Sequence, residues 1–143
     1  MPEQFQQGIA SVSRLMEELI PVYKRKSDTE KACLAYVFAI FHMTKFQAKE
    51  IVFPFLFDLL RNKSLYCREN ALRALYSSED IHAVMQALTF LDANEQLLPH
   101  KKILADGLLS FDKKEELIPL LWKKMSEFHP RMQVNLLDYI RYA

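Results

Sequence analysis

Histidine, cysteine and paired carboxylates are the side chains here that could do chemistry, and their spacing supports little of it. His42, His82, His100 and His129 are spread along the chain. None forms His-x-x-x-His, and none has a cysteine or carboxylate at the spacing a zinc site uses. Surface and helix-end positions are the reading that leaves. Glu115-Glu116 falls in a predicted first helix turn, where negative charge favours the helix dipole, and Glu17-Glu18 reads as a solvated pair. Gly8 and Gly107 are the only glycines, so no phosphate-cradling loop is present, and no nucleophile elbow either. The expectation is a chain with no catalytic residue, no cofactor and no metal.

Cys33 and Cys67 recur 34 positions apart, each where an apolar residue opens a predicted helix. Both read as small buried hydrophobes. Equivalent helices of neighbouring units lie about 8–10 Å apart, too far for comfortable bridging, so no disulfide is expected and a reducing compartment fits.

The elements that hold these residues are set by a repeat. Leu59-Leu60 ends an amphipathic segment, Arg61 to Ser64 is a polar turn, and Cys67-Arg68 opens a ladder through Ala71, Leu72, Ala74 and Leu75. The pattern returns 65 positions on: Pro54 matches Pro119, Asn70 matches Asn135, Leu72 matches Leu137 and Leu75 matches Ile140. A period near half that spacing predicts stacked helix pairs. Hydrophobic residues make up 50% of the 143, which is one domain's worth of core. The scarcity of glycine argues against hairpin-rich β structure.

Four pairs are predicted, as repeats over about 1–44, 45–78, 79–111 and 112–143. The first has a helix from Glu3 to Lys26, bent at Pro21, and a partner from Thr29 to Met43 after a Ser27-Asp28 cap. The second is Gln47 to Asn62 with Tyr66 to Tyr76. The third is Asp80 to Leu91, capped by Ser78 or Asp80, with Pro99 to Ser110. The fourth is Lys113 to Glu127, capped by Asp112, with Pro130 to Tyr142. Pro21, Pro54 and Pro119 share one register, which reads as a designed bend.

These residues resemble the HEAT-repeat family, whose second helix typically runs V-R-x-x-A-a-x-A-L after a turn of the type L-L-k-D-p. Cys67, Arg68, Ala71, Ala74 and Leu75 stand for the helix and Asn62 for the turn acid. The other repeats match less closely; Leu34 replaces the arginine in the first and Gln133 stands in its place in the fourth. The chain is also similar, more distantly, to helical-repeat regions of bacterial membrane-attached HEAT proteins. The resemblance implies an all-α fold, a right-handed α-α superhelix of about four stacked antiparallel pairs. It also implies that Arg68 bonds the turns of adjacent repeats, with Asn62 as nearest acceptor; Arg68→Ala is expected to cost about 1–3 kcal/mol.

In such stacks the second helices line the concave face. Three rows are expected there: Ala39, Arg73, Gly107 and Asp138; His42, Tyr76, Ser110 and Arg141; Ala35, Glu69, Ile103 and Val134. The predicted partner contacts are Glu69, Arg73, Tyr76, Ser110, Asp138 and Arg141. Both charge signs with an aromatic suit a protein or peptide better than a phosphate backbone. The net charge of +1 gives no pull toward nucleic acid. Lys24-Arg25-Lys26, Lys101-Lys102, Lys113-Lys114 and Lys123-Lys124 read as solvated helix ends, and Trp122, in the register of Phe57, as a packing residue.

The segment 32–44 is uncharged and its residues 32–43 are apolar around the whole circumference, which indicates burial or, alternatively, an aromatic docking groove. Its span of about 20 Å falls short of a membrane's roughly 30 Å core, and no secretory signal is evident. The function expected is a non-enzymatic protein-interaction scaffold in the cytoplasm, or in the cytoplasmic part of a membrane-attached parent. Two other classes share the fold the resemblance implies: alkylpurine DNA glycosylases, whose cleft Asp138, Arg73 and Trp122 would imitate, and phycobilin lyases. Leu136, Leu137 and Ile140 cannot all face preceding helices, so apolar surface should remain at that end, for further repeats of a longer solenoid or for self-association.

Overall fold

The computed structural model describes residues 14, 18–41 and 49–143, and the helix expected from Glu3 falls largely outside them, as does the end of the next helix at His42 and Met43. Every regular element among the described residues is a helix, with no strand among them. A 3-10 segment, Ile20–Arg25, carries Pro21 in its first turn. Then come α1 (Asp28–Phe41), α2 (Lys49–Leu60), α3 (Leu65–Ser77) and α4 (Ile81–Ala93). A 3-10 turn at Glu95–Leu97 leads to the short α5 (Lys101–Leu104) and a further 3-10 turn, Asp106–Ser110. The chain ends with α6 (Lys114–Lys124) and α7 (Pro130–Tyr142).

Local chemistry sets most boundaries. Ser27 caps α1: its Oγ accepts from Glu30 N at 3.2 Å and donates to the Glu30 carboxylate at 3.1 Å. Ser64 caps α3 through Cys67 N, and Asp80 caps α4 through Ala83 N at 2.9 Å. Pro54 and Pro119 sit inside α2 and α6 on the exposed side, and Pro130 opens α7. The expected cap at Asp112 is not formed: Lys113 holds that position without a side-chain bond, and Glu115 and Glu116 supply the first-turn negative charge instead.

The turn between α3 and α4 is held without glycine. Glu79 adopts φ 59°, the left-handed region a Cβ disfavours. Its neighbour Ser78 is fully buried, donating to Leu75 O at 2.6 Å and accepting from Asp80 N. Glu79→Gly relieves that strain, partly offset by the freer unfolded chain. It should raise stability by about 0.5–1 kcal/mol in urea denaturation; a lowered midpoint would show that the glutamate side chain earns its place.

Neighbouring elements are tied by long-range bonds. Cys67 Sγ donates to Asp28 O at 3.1 Å and Ser77 Oγ to Phe38 O at 3.5 Å, so α1 and α3 run side by side in one direction. Arg68 reaches Leu97 O and Tyr76 Oη reaches Leu104 O, which orders α3 against residues 97–104 in the same sense. Tyr23 donates to Asp58 at 2.6 Å and its ring meets Phe55 edge-on at 4.8 Å, fixing the first segment to α2. The core between these elements is built on Phe38, Phe55, Leu56, Leu72, Tyr76, Leu88, Phe111 and Tyr139, all almost wholly buried.

The helix expected from Pro99 to Ser110 is broken. Tyr76 Oη takes the Leu104 carbonyl at 2.6 Å, and Leu108 N turns to Ala105 O instead. A side chain inserted into the hydrogen-bond ladder tightens the next turn to 3-10. Gly107 makes room for it: a Cβ there would lie 3.0 Å from the Tyr76 ring.

Candidate functional site

Arg68, expected to be structural, is 8% exposed at the start of α3. Its Nη1 donates to Asn62 O at 2.8 Å and Lys63 O at 2.9 Å, and its Nε to Leu97 O at 3.2 Å. The guanidinium thus joins its own turn to the following one. The acceptor on Asn62 is the backbone carbonyl. The Asn62 side chain is used elsewhere, accepting from Ser64 N at 2.8 Å and donating to Asp28 at 3.2 Å.

The pairing of Asn70 with Asn135 has a common structural meaning. Both are buried, and each amide donates to the carbonyl four residues back, Tyr66 O at 2.9 Å and Arg131 O at 3.1 Å. Gln133, in the register of Arg68, likewise donates back to the preceding turn, at Met125 O.

The residues expected to meet a partner separate into two groups. Ser110 and Arg141 are exposed, and Glu69, Arg73 and Asp138 are half-buried. Arg73 reaches Asn70 Oδ1 at 3.4 Å, and the Arg141 guanidinium lies 5.3 Å from the Tyr142 ring centre. Tyr76, by contrast, is a core residue, 2% exposed, because its hydroxyl is drawn to Leu104. Ala35 is buried too, against α3, while Val134 of the same expected row is 60% exposed. His42 lies outside the described residues.

The two cysteines differ. Both are free thiols, but only Cys67 is buried, and burial raises its pKa above the usual thiol value. Cys33 is exposed and lines a cleft of about 260 Å³ with Leu19, Lys26 and Val37. Helix α1 explains the difference. Ala32, Leu34, Ala35 and Phe38 face the core, whereas Cys33, Tyr36 and Ile40 form an exposed stripe. The segment is therefore neither wholly buried nor wholly open.

One pairing had no signal in the sequence. His129 sits just before α7, and its backbone N–H donates to Asp92 Oδ1 at 2.9 Å while its imidazole Nδ1 lies 3.1 Å from Oδ2. Asp92 is buried at the end of α4 and holds the start of α7. Separation by 37 residues hides such a contact from motif reading. His82 and His100 are exposed. Among the described residues no three His, Cys, Asp or Glu side chains gather as a metal site would require, and no helix is long and apolar enough to cross a membrane.

Large exposed apolar side chains are unevenly distributed. Tyr36 and Ile40 are on α1, Leu65 and Tyr66 on α3, and Val134, Leu137 and Tyr142 on α7; among the described residues, only Val22, Ile51 and Trp122 lie elsewhere. Between the start of the third second-helix segment and α7 is a cleft of about 360 Å³, lined by Pro99, His100, Arg131, Val134 and Asn135. Compared with protein-family models, curated proteins and solved structures, the chain finds no match.

Proposed function

We propose that the chain is a non-catalytic protein-binding scaffold of HEAT-like stacked helix pairs, which holds a partner across the layer formed by α1, α3, residues 99–110 and α7. The observation that carries this reading is the placement of exposed apolar side chains: seven of ten belong to those helices, and Tyr66 on α3 and Val134 on α7 lie on the face that carries Glu69. Exposed hydrophobics scattered singly mean little, but their concentration on one set of helices marks an interaction surface. Charges of both signs accompany them, with Glu69, Arg73, Asp138 and Arg141 on the same helices. That mixture fits a protein surface, which pairs aromatic anchors with a polar rim.

The stacking part of the proposal rests on the same-direction contacts of α1 with α3 and on the Arg68 bridge between successive turns. Free thiols at Cys33 and Cys67 suit the cytoplasm we assign to it. Leu137, 43% exposed on the last helix, is apolar surface that further repeats or a second copy would cover.

Site-specific photocrosslinking in the source cell tests the reading. A photoreactive phenylalanine analogue replaces Tyr66 or Val134 on the proposed layer, and Ile51 or Trp122 on the first helices. Adducts of defined mass should form from the first pair of positions and not the second. Equal labelling from both sets, or none from Tyr66 and Val134, would sink the proposal.

A further inference from the structure

We infer that the cleft between His100 and α7 receives a glutamate or aspartate side chain of the partner, flanked by an apolar residue. The inference rests on the scaffold reading above and names what this part of the surface recognises.

The wall of the cleft combines a guanidinium, an imidazole donor and two apolar surfaces. Arg131 is exposed, and among the described residues no carboxylate pairs with it. A guanidinium with its donors unspent is shaped for a carboxylate, which it binds through two parallel N–H bonds. His100 Nδ1 accepts from Lys102 N at 3.2 Å, which leaves Nε2 as the ring's donor. Asn135 uses its amide N–H on Arg131 O, and its Oδ1 remains an acceptor for a peptide N–H. Pro99 and Val134 supply apolar contact. The volume of about 360 Å³ suits one side chain and its neighbour, not a folded domain.

Position decides between a side-chain carboxylate and a chain terminus. Tyr66 on α3 and Val134 on α7 are both exposed, and the residues lining the cleft lie along the starts of the second helices. A segment that follows the exposed face of α7 past Arg131 and Val134, one helical turn apart, runs along the cleft. That path presents a side chain to Arg131 and does not end there.

Titration of the isotope-labelled full chain, followed by nuclear magnetic resonance, tests this. The probes are acetyl-Leu-Glu-Leu-amide, acetyl-Leu-Gln-Leu-amide and acetyl-Leu-Gln-Leu with a free carboxylate. The glutamate peptide should shift resonances of His100, Arg131, Val134 and Asn135 and saturate. The glutamine amide should bind about tenfold more weakly or not at all. Arg131→Gln should weaken the glutamate peptide by about the same factor, while Arg25→Gln, away from the layer, leaves it unchanged. Equal binding of glutamate and glutamine amides overturns the inference, as does tighter binding of the free-carboxylate peptide, which would make this a terminus-binding cleft. Absence of shifts at His100 and Arg131 also overturns it. If the crosslinks from Tyr66 and Val134 then still form, the scaffold reading stands and only the cleft's assignment falls.

Discussion

Replacing Arg68 with alanine should destabilise the protein by about 3 kcal/mol, at the upper end of what charge-assisted hydrogen bonds contribute. The side chain is 8% exposed and donates to three carbonyls, two on its own turn and Leu97 O on the next. Removing it leaves those carbonyls without donors and opens a cavity between two turns. Lysine cannot substitute, because one ammonium cannot reproduce the guanidinium fork that spans Asn62, Lys63 and Leu97. Arg68→Lys should therefore recover less than half of the loss. Urea denaturation of both variants gives the numbers. A midpoint within error of the unsubstituted protein would mean that the bridge is incidental.

The bond of Arg68 to its own turn was legible because it is local; the reach to a second turn was only implied by the family resemblance, and Leu97, 29 residues on, was not named. Cys67-Arg68 follows a polar turn, and the turn is only a few residues away. The pairing of Asn70 with Asn135 was legible for the same reason: each buried amide satisfies itself on its own helix. Caps at Ser27 and Asp80 are equally local. What failed to show was set by groups far along the chain. Cys33 and Cys67 occupy one register, yet Cys67 is covered by α1 and Cys33 faces outward. Periodicity fixes which residues share a face but not which face finds a neighbour. The Asp92 tie to His129 depends on two turns meeting across 37 residues, and no spacing rule encodes that.

The exposed layer was only partly readable. Arg141, Ser110 and Arg73 remain accessible, whereas the exposed stripe of α1 lies in the register that α3 buries. The cleft at Arg131 was missed because its walls come from Pro99 and His100 on one side and α7 on the other. Arg131 looks like an ordinary helix-start residue in the sequence. Its place in a cleft with Pro99, His100, Val134 and Asn135 distinguishes it, and that is a property of the folded surface.

Tyr76 and Tyr139 should answer the same substitutions oppositely. Both are almost fully buried, but Tyr76 Oη donates to Leu104 O at 2.6 Å while Tyr139 Oη has no partner among the described residues. Tyr76→Phe strips the Leu104 carbonyl of its donor inside the core and should cost about 1–2 kcal/mol. Tyr76→Ala also removes the ring that rests on Gly107 and should cost about 4 kcal/mol. Tyr139→Phe deletes an unsatisfied hydroxyl and should be neutral or stabilising by up to about 1 kcal/mol. The two rings also shape the alkaline limit of stability. Burial raises the pKa of Tyr76 well above 10, with a smaller contribution from the nearby Tyr139. At Tyr23, burial first and the Asp58 bond second push it to about 12. The folded protein therefore keeps these protons at a pH where the unfolded chain, at its ordinary value of 10, gives them up. Stability from this source is complete below pH 10 and falls as pH rises from there toward 12. Tyr76→Phe should flatten that decline even as it lowers stability at neutral pH. A variant that declines as steeply as the original chain between pH 10 and 12 would place the alkaline sensitivity elsewhere, and a destabilised Tyr139→Phe would reveal a partner for its hydroxyl.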